Sequence, residues 1–180
     1  MMRYDELIKR LDKDRPITGA EIGVWEGDTS YNLLKSVENI FLHYMIDPYL
    51  PYDDLRNNGE RTNFGKSTID IKSLETAKNK AEEITEQFAD RRIIICLSSA
   101  EAAEKIKDGT LDYVFIDAEH NYESAMNDIK TWLPKVKSGG IISGHNYGDN
   151  TYNGVTRAVD ECFPVVETGD DWTWFVRINK

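Results

Sequence analysis

Two glycines and two carboxylates are concentrated in a short stretch near the start of the chain. Gly23 and Gly27 are four residues apart and follow an apolar run that contains Glu21. Glycine tolerates positive φ and lets a ligand lie directly on the backbone, where the amides of a following helix point at it. The dinucleotide pattern G-x-G-x-x-G is absent, and the acidic Glu21 and Glu26 favour a cationic nucleoside as the ligand.

A carboxylate and two imidazoles follow later apolar runs. Asp117 ends one such run, and His145 follows the next short one, Gly140 to Gly144. The carboxyl ends of parallel strands meet at the edge where open α/β sheets bind ligands, so we expect both residues to face a site. An imidazole titrates near neutral pH, which makes His145 or His120 a candidate general base. His120 alternatively ties its loop to the next helix.

Alternating apolar runs and helical patterns must position these residues. Residues 1–15 predict a lead-in helix, and five strand-like runs, each followed by a segment with helical spacing, come after it. Residues 165–178 predict a terminal antiparallel hairpin. The order predicts an α/β fold, a Rossmann-like doubly wound sheet with helices on both faces.

An acid also follows the second predicted strand, which ends at Asp47-Pro48. Asp47 lies 20 residues after Gly27, and about 20 residues is the separation at which nucleotide-binding folds present an acid to the ribose hydroxyls. An acidic turn at a strand end is the alternative interpretation.

Two further segments are candidates for ligand contacts. Ser98 and Ser99 follow the third predicted strand, where they cap the next helix, contact a base, or do both. Residues 49–72 have no clear periodicity, and a segment of this length predicts a lid or substrate loop, with a flexible insertion as the alternative.

Composition limits the partners and the compartment. The chain has 180 residues and a net charge of −10, which predicts one domain, residues 1–180, and disfavours nucleic acid and anionic membranes as partners. The N-terminus is too charged for a signal peptide, and no run approaches the ~20 apolar residues of a membrane span. We expect a cytoplasmic protein in which Cys96 and Cys162 are buried free thiols.

The motifs together resemble a known enzyme family. Class I S-adenosylmethionine-dependent methyltransferases have motifs similar to four parts of this chain: Glu21-Ile22-Gly23-x-x-x-Gly27, the strand-end Asp47, Phe115-Ile116-Asp117-x-x-His120-x-Tyr122, and Gly139-Gly140-x-x-x-Gly144-His145. More narrowly, the chain is similar to methyltransferase family 24, a relative of the macrocin and catechol O-methyltransferases, from about Pro16 to the C-terminus. The resemblance implies a seven-stranded sheet whose last strand is antiparallel.

The resemblance also implies roles for individual positions. The two glycines of the first motif frame the methionine end of S-adenosylmethionine, the strand-end Asp47 binds the ribose, the two serines lie beside the adenine, and Asp117 faces the sulfonium. The implied cofactor-binding set is Glu21, Gly23, Trp25, Gly27, Asp47, Pro48, Ser98, Ser99 and Asp117.

A divalent metal is a further implication. Catechol-type relatives bind one with an Asp after the fourth strand and an Asp-Asn pair after the fifth, and Asp117, His145 and Asn146 match those places, with His145 where the pattern has Asp. This set is less negative than magnesium prefers, so manganese, iron or zinc is as plausible. The alternative is a metal-free reaction with His145 or His120 as general base.

We therefore predict an S-adenosylmethionine-dependent methyltransferase that acts on a hydroxyl of a small molecule, a sugar or a phenol, with Asp117, His120 and His145 as catalytic residues. A nicotinamide-dependent oxidoreductase is disfavoured by the missing third glycine. A catalytically silent nucleotide-binding or interaction module is the other alternative. Exposed edge strands make a homodimer reasonable.

Overall fold

A computed structural model describes residues 2–50 and 71–179 of the chain. Seven strands and six α-helices lie within those residues. The strands are β1 (Ile17–Ile22), β2 (Ile40–Ile46), β3 (Arg92–Ile95), β4 (Leu111–Ile116), β5 (Val136–Gly144), β6 (Glu167–Thr168) and β7 (Trp174–Arg177). The helices are α1 (Arg3–Arg10), α2 (Asp28–Ser36), α3 (Ile71–Ile84), α4 (Ser99–Glu104), α5 (Tyr122–Trp132) and α6 (Asn153–Cys162).

The seven strands form one sheet in the order β3-β2-β1-β4-β5-β7-β6. β1 to β5 are parallel, and β7 runs antiparallel to its neighbours β5 and β6. The predicted doubly wound sheet with an antiparallel last strand is therefore confirmed. The strand order reverses between β1 and β4, which is the place where sheets of this kind open a ligand crevice.

The register of the central strands aligns their carboxyl ends. Ile22 of β1 pairs with Ile46 of β2 and with Ile116 of β4, and Ile116 pairs with Gly144 of β5. The residues that follow these four positions therefore emerge side by side at one edge of the sheet. This alignment brings together side chains that are far apart in the sequence.

Apolar clusters pack on both faces of the sheet. On one face, Trp132 of α5 and Trp174 of β7 are buried with residues of α4 and α6. On the other face, Leu7 of α1 is fully buried in a cluster with α2 and the inward side chains of β4. α1 is thus an integral layer of the fold, and it lies within the predicted lead-in segment 1–15.

Some sequence expectations need correction or lie outside the described part. Cys96 is exposed and Cys162 is half-buried, so the expectation of two buried thiols was wrong. Cys96 directly follows β3, and one side of this outermost strand is not paired in the sheet. Of the predicted lid, residues 51–70 lie outside the described residues. Among the described helices, none is long and apolar enough to cross a membrane.

Candidate functional site

The glycine turn between β1 and α2 has left-handed backbone at three positions. Gly23, Trp25 and Gly27 have φ values of 87°, 49° and 85°. The Gly27 N–H donates to the Val24 carbonyl at 2.9 Å, and α2 begins directly after Gly27. A tight turn of this kind leaves backbone groups close to the sheet edge, where a ligand can lie on them.

Asp47 lies directly against this turn. Its Oδ2 accepts the N–H groups of Val24 at 3.0 Å and Trp25 at 2.9 Å, and its Oδ1 accepts the Tyr49 N–H at 2.8 Å. The Tyr49 hydroxyl donates to the Trp25 carbonyl at 2.9 Å, and Pro48 is half-buried between Asp47 and Tyr49. Asp47 therefore organises the turn, and the ribose contact stays a prediction.

Glu21 is buried beneath the turn with 2% of its surface exposed. Its carboxyl accepts a hydrogen bond from the Ser30 hydroxyl. Burial raises the pKa of Glu21 to about 8, since desolvation disfavours the carboxylate and the nearby Asp117 charge adds to this, against the opposing effects of Ser30 and Arg3. At neutral pH Glu21 is therefore largely protonated.

A chain of buried polar groups continues from Ser30 into the core. The Ser30 hydroxyl lies 2.8 Å from Nε2 of His43, and the Tyr113 hydroxyl lies 2.8 Å from Nδ1. His43 is fully buried, and burial lowers its pKa to about 3, so the ring is neutral. With Ser30 donating to Glu21, the consistent assignment has Nε2–H of His43 donating to Ser30 and Tyr113 donating to Nδ1. The ring is therefore a core histidine.

Asp117 lies between two imidazoles at the end of β4. Its Oδ1 is 3.6 Å from Nε2 of His120 and 3.5 Å from Nδ1 of His145. Burial alone raises the pKa of Asp117, but His120, His145 and the Arg3 charge together lower it well below its ordinary value. The structure therefore brings the three predicted catalytic residues together around an ionised carboxylate.

The sequence analysis did not predict two charged residues of this cluster. Arg3 Nε lies 3.1 Å from Oδ2 of Asp117, and Asp171 Oδ2 is 3.9 Å from Nε2 of His145. The Arg3 backbone N–H donates to the same Asp171 oxygen at 3.1 Å. Residues 1–15 were predicted only as a lead-in helix and Asp171 only as part of a hairpin turn, because no sequence spacing links α1 or the β6–β7 loop to Asp117.

Several buried polar atoms near Asp117 lack a hydrogen-bond partner among the described residues. They are Nε2 of His120, Nε2 of His145, Oδ1 of Asn146 and Nε1 of Trp174. A cavity beside them is lined by both histidines, Asp117 and the apolar side chains of α5 and α6. Unpaired buried groups are costly, so a bound molecule that pairs with them gains affinity.

The donor set does not fit a divalent metal. Within residues 2–50 and 71–179, no group of three or more His, Cys, Asp and Glu side chains is arranged to bind one. The carboxylate of Asp117 already faces the guanidinium of Arg3 at 3.1 Å, and a second cation there would be repelled. We therefore derive no metal-dependent step for Asp117, His145 and Asn146.

Ser98 and Ser99 use their hydroxyls within the protein. Ser98 is the N-cap of α4, where its Oγ accepts the Glu101 N–H at 3.4 Å and its own N–H donates to Glu101 at 3.1 Å. The Ser99 hydroxyl accepts from Trp132 Nε1 at 2.8 Å and donates to the carboxyl of Asp128. The predicted helix cap is confirmed for Ser98, and the adenine contacts stay a prediction.

Several proteins of solved structure have a fold similar to that of this chain. The chain is similar to the calicheamicin methyltransferase CalS11 (TM-score 0.69, 14% identity, covering 97% of this chain and 76% of that chain). It is also similar to the O-methyltransferase NovP (TM-score 0.62, 17% identity, covering 99% of this chain and 80% of that chain). For a spermidine synthase from Thermotoga maritima the TM-score is 0.59 with 16% identity, and this chain spans 57% of that protein's length.

Family membership rests on the sequence profile rather than on these distant structures. No protein of curated function matches the chain. The profile of a methyltransferase domain, that of methyltransferase family 24, matches residues 20–147. This range is more than half of the chain and contains the glycine turn, Asp47, Asp117 and the two histidines beside Asp117. The chain therefore belongs to methyltransferase family 24, a family of S-adenosylmethionine-dependent class I methyltransferases.

Proposed function

We propose that this chain transfers the methyl group of S-adenosylmethionine to the hydroxyl of a small molecule, a sugar or a phenol. The cofactor lies at the glycine turn, and the acceptor lies beside Asp117. The observation that carries the proposal is the position of Asp117 between His120 and His145, 3.6 Å and 3.5 Å away, at the sheet edge next to the turn. An ionised carboxylate behind an imidazole is the arrangement that a proton acceptor needs.

His145 is the general base of the proposed reaction. Its Nδ1 faces Asp117, which leaves Nε2, a buried nitrogen with no hydrogen-bond partner among the described residues, for the acceptor hydroxyl. His120 presents Nε2 to Asp117 and packs against the ring of Tyr152, 4.3 Å between centroids. We assign His120 to positioning the carboxylate and His145 to proton removal.

Methyl transfer then needs the acceptor hydroxyl to be oriented towards the methyl group and to lose its proton. The acceptor O–H proton passes to Nε2 of His145 while the oxygen attacks the methyl carbon. S-adenosylmethionine bound at the glycine turn would supply the methyl group, and the electron pair of the broken carbon–sulfur bond would stay on sulfur to give S-adenosylhomocysteine. Asp117 stabilises the imidazolium that forms.

Small acceptors suit the charge of the chain. A net charge of −10 repels a polyanion such as nucleic acid. The cytoplasmic location and the homodimer stay predictions from the sequence.

Methyl transfer by histidine variants tests the proposal. Initial rates are measured from pH 5 to 9 with S-adenosylmethionine and a panel of phenols and sugars, for wild type, His145→Gln and His120→Gln. We expect His145→Gln to lower kcat by about 10²-fold or more and to lose the pH dependence, with affinity for S-adenosylhomocysteine retained. A smaller loss in His120→Gln, with the pH profile retained, fits a positioning role.

The same experiment separates the alternatives. If His120→Gln loses the pH dependence and His145→Gln keeps it, the assignment of the base is wrong. If wild type binds S-adenosylhomocysteine but methylates no member of the panel, the silent binding module replaces the O-methyltransferase.

A further inference from the structure

Arg3 brings a fixed positive charge into the site from outside the matched domain. The family profile covers residues 20–147, whereas Arg3 is the first residue of α1. Its Nε donates to Oγ1 of Thr29 at 3.1 Å and lies 3.1 Å from Oδ2 of Asp117. Thr29 belongs to the first turn of α2, so Arg3 bridges the helix that follows the glycine turn and the end of β4.

The rest of α1 fixes the position of this side chain. Leu7 of α1 is fully buried, and Leu11, directly after α1, is nearly so, in the apolar cluster beneath α2. The Arg3 backbone N–H donates to Asp171 at 3.1 Å. A guanidinium supported in this way loses little freedom when a ligand binds, which favours tight and selective contacts.

The guanidinium retains donors for a ligand. Nε makes the contacts with Thr29 and Asp117, while the two terminal nitrogens form no hydrogen bond with residues 2–50 or 71–179. The side chain is 31% exposed. A planar guanidinium with free terminal N–H groups binds a carboxylate with two parallel hydrogen bonds.

The charges around Arg3 are otherwise acidic. Asp117 and Asp171 contact Arg3, the nearby Glu21 is largely protonated at neutral pH, and Asp47 binds the backbone of the glycine turn. Lys80 also reaches the turn, but its ammonium is bound by Glu26. Among the described residues, Arg3 is thus the arginine or lysine side chain that forms an ion pair with Asp117.

S-adenosylmethionine has a matching distribution of charge. Its sulfonium and its ammonium are cationic and suit the carboxylates, whereas its only anionic group is the carboxylate of the methionine part. We propose that Arg3 binds this carboxylate and thereby selects the complete cofactor over its decarboxylated form. The inference rests on the proposed cofactor site at the glycine turn and adds to it a residue of α1 that determines specificity.

Isothermal titration with two ligands tests Arg3 without any acceptor. The ligands are S-adenosylhomocysteine and its decarboxylated analogue, which keeps the adenosine, the thioether and the amine. Wild type should bind S-adenosylhomocysteine about 10-fold or more tightly than the analogue. Arg3→Gln should bring this ratio to about one or below, since the remaining acidic groups favour the more cationic analogue.

Two other variants complete the design. Arg15→Gln also removes an arginine paired with aspartates, Asp12 and Asp112, but Asp112 lies near the start of β4, far from its carboxyl end, so the wild-type ratio should be kept. Arg3→Lys keeps the charge beside Asp117 without the planar fork and should give an intermediate ratio. Thermal unfolding of each variant shows that the fold is retained.

The outcomes are distinct for the two proposals. If Arg3→Gln and Arg3→Lys both keep the wild-type ratio, Arg3 does not bind the carboxylate, although the cofactor site stands. Should wild type bind the two ligands equally, the same conclusion follows. If wild type binds neither ligand, the proposed cofactor site itself fails.

Discussion

Gly23 lies so close to Asp117 that a Cβ atom on the glycine would be 2.3 Å from the aspartate's carbonyl oxygen. The Asp117 N–H also donates to the carbonyl of Ile22 at 2.8 Å. The turn proposed to bind the cofactor and the carboxylate proposed to assist the base are therefore joined through their backbones. Their spacing is set by the pairing of β1 with β4.

Gly23→Ala should weaken S-adenosylhomocysteine binding strongly and destabilise the protein. The new Cβ requires the turn or Asp117 to move, in addition to the cost of φ 87° for a residue with a side chain, roughly 1–2 kcal/mol. Gly109→Ala is the matched control, because Gly109 has φ 64° and open space around it. Chemical denaturation and titration of both variants measure the difference. Equal losses of stability and unchanged binding in both variants would contradict the steric argument.

Asp47→Ala should make the glycine turn less rigid. The substitution removes the acceptor of the Val24, Trp25 and Tyr49 N–H groups, and Val24 is buried. A buried N–H without a partner costs about 1–3 kcal/mol, so we expect a loss of stability of that order together with weaker cofactor binding. Hydrogen exchange of the Val24 and Trp25 amides should accelerate. Amides that stay as protected as in wild type would show that another group organises the turn.

Glu21→Gln should change the pH dependence of stability. Burial raises the pKa of Glu21 from 4.5 to about 8. Between those pH values the folded protein keeps a proton that the unfolded chain has lost, so the stability contributed by this group is present below pH 4.5 and is lost as the pH rises towards 8.

The glutamine cannot ionise and avoids this loss. We expect the unfolding free energy of Glu21→Gln, relative to wild type, to increase from pH 4.5 to 8 by up to about a few kcal/mol. Urea denaturation at several pH values measures it. A difference between variant and wild type that is constant with pH would show that Glu21 ionises normally.

Metal chelation should leave methyl transfer intact. The Arg3 guanidinium, 3.1 Å from the Asp117 carboxylate, already supplies the positive charge that a metal would bring. After treatment with EDTA we expect the full rate, with no gain from added Mn²⁺ or Mg²⁺. Asp117→Asn serves as the comparison and should lower the rate with or without metal. An EDTA-treated enzyme that recovers activity only with Mn²⁺ or Mg²⁺ would restore the metal hypothesis.

Local sequence patterns were sufficient to predict the strands and helices and the residues that follow the strands. Glycines with a helical pattern behind them predicted the turn, and apolar runs predicted the strands that end before Asp47 and Asp117. Parallel strands send their carboxyl ends to the same edge. For this reason the convergence of Asp117, His120 and His145 was predictable without coordinates.

Other features depend on contacts that no local pattern encodes. Arg3 and Asp171 reach the site because α1 and the β6–β7 loop pack next to the end of β4, and Ser99 is drawn into the α5 interface instead of staying free. Cys96 is exposed directly after β3, which is one of the two edge strands of the sheet.

Sequence periodicity thus determined which segments become strands and helices and which residues stand at the carboxyl edge, because backbone geometry alone relates these positions. Tertiary packing decided which charges meet there. The pairing of Arg3 with Asp117 depends on the long-range burial of Leu7 and its neighbours, and the free energy of that burial is gained only when the whole sheet has formed.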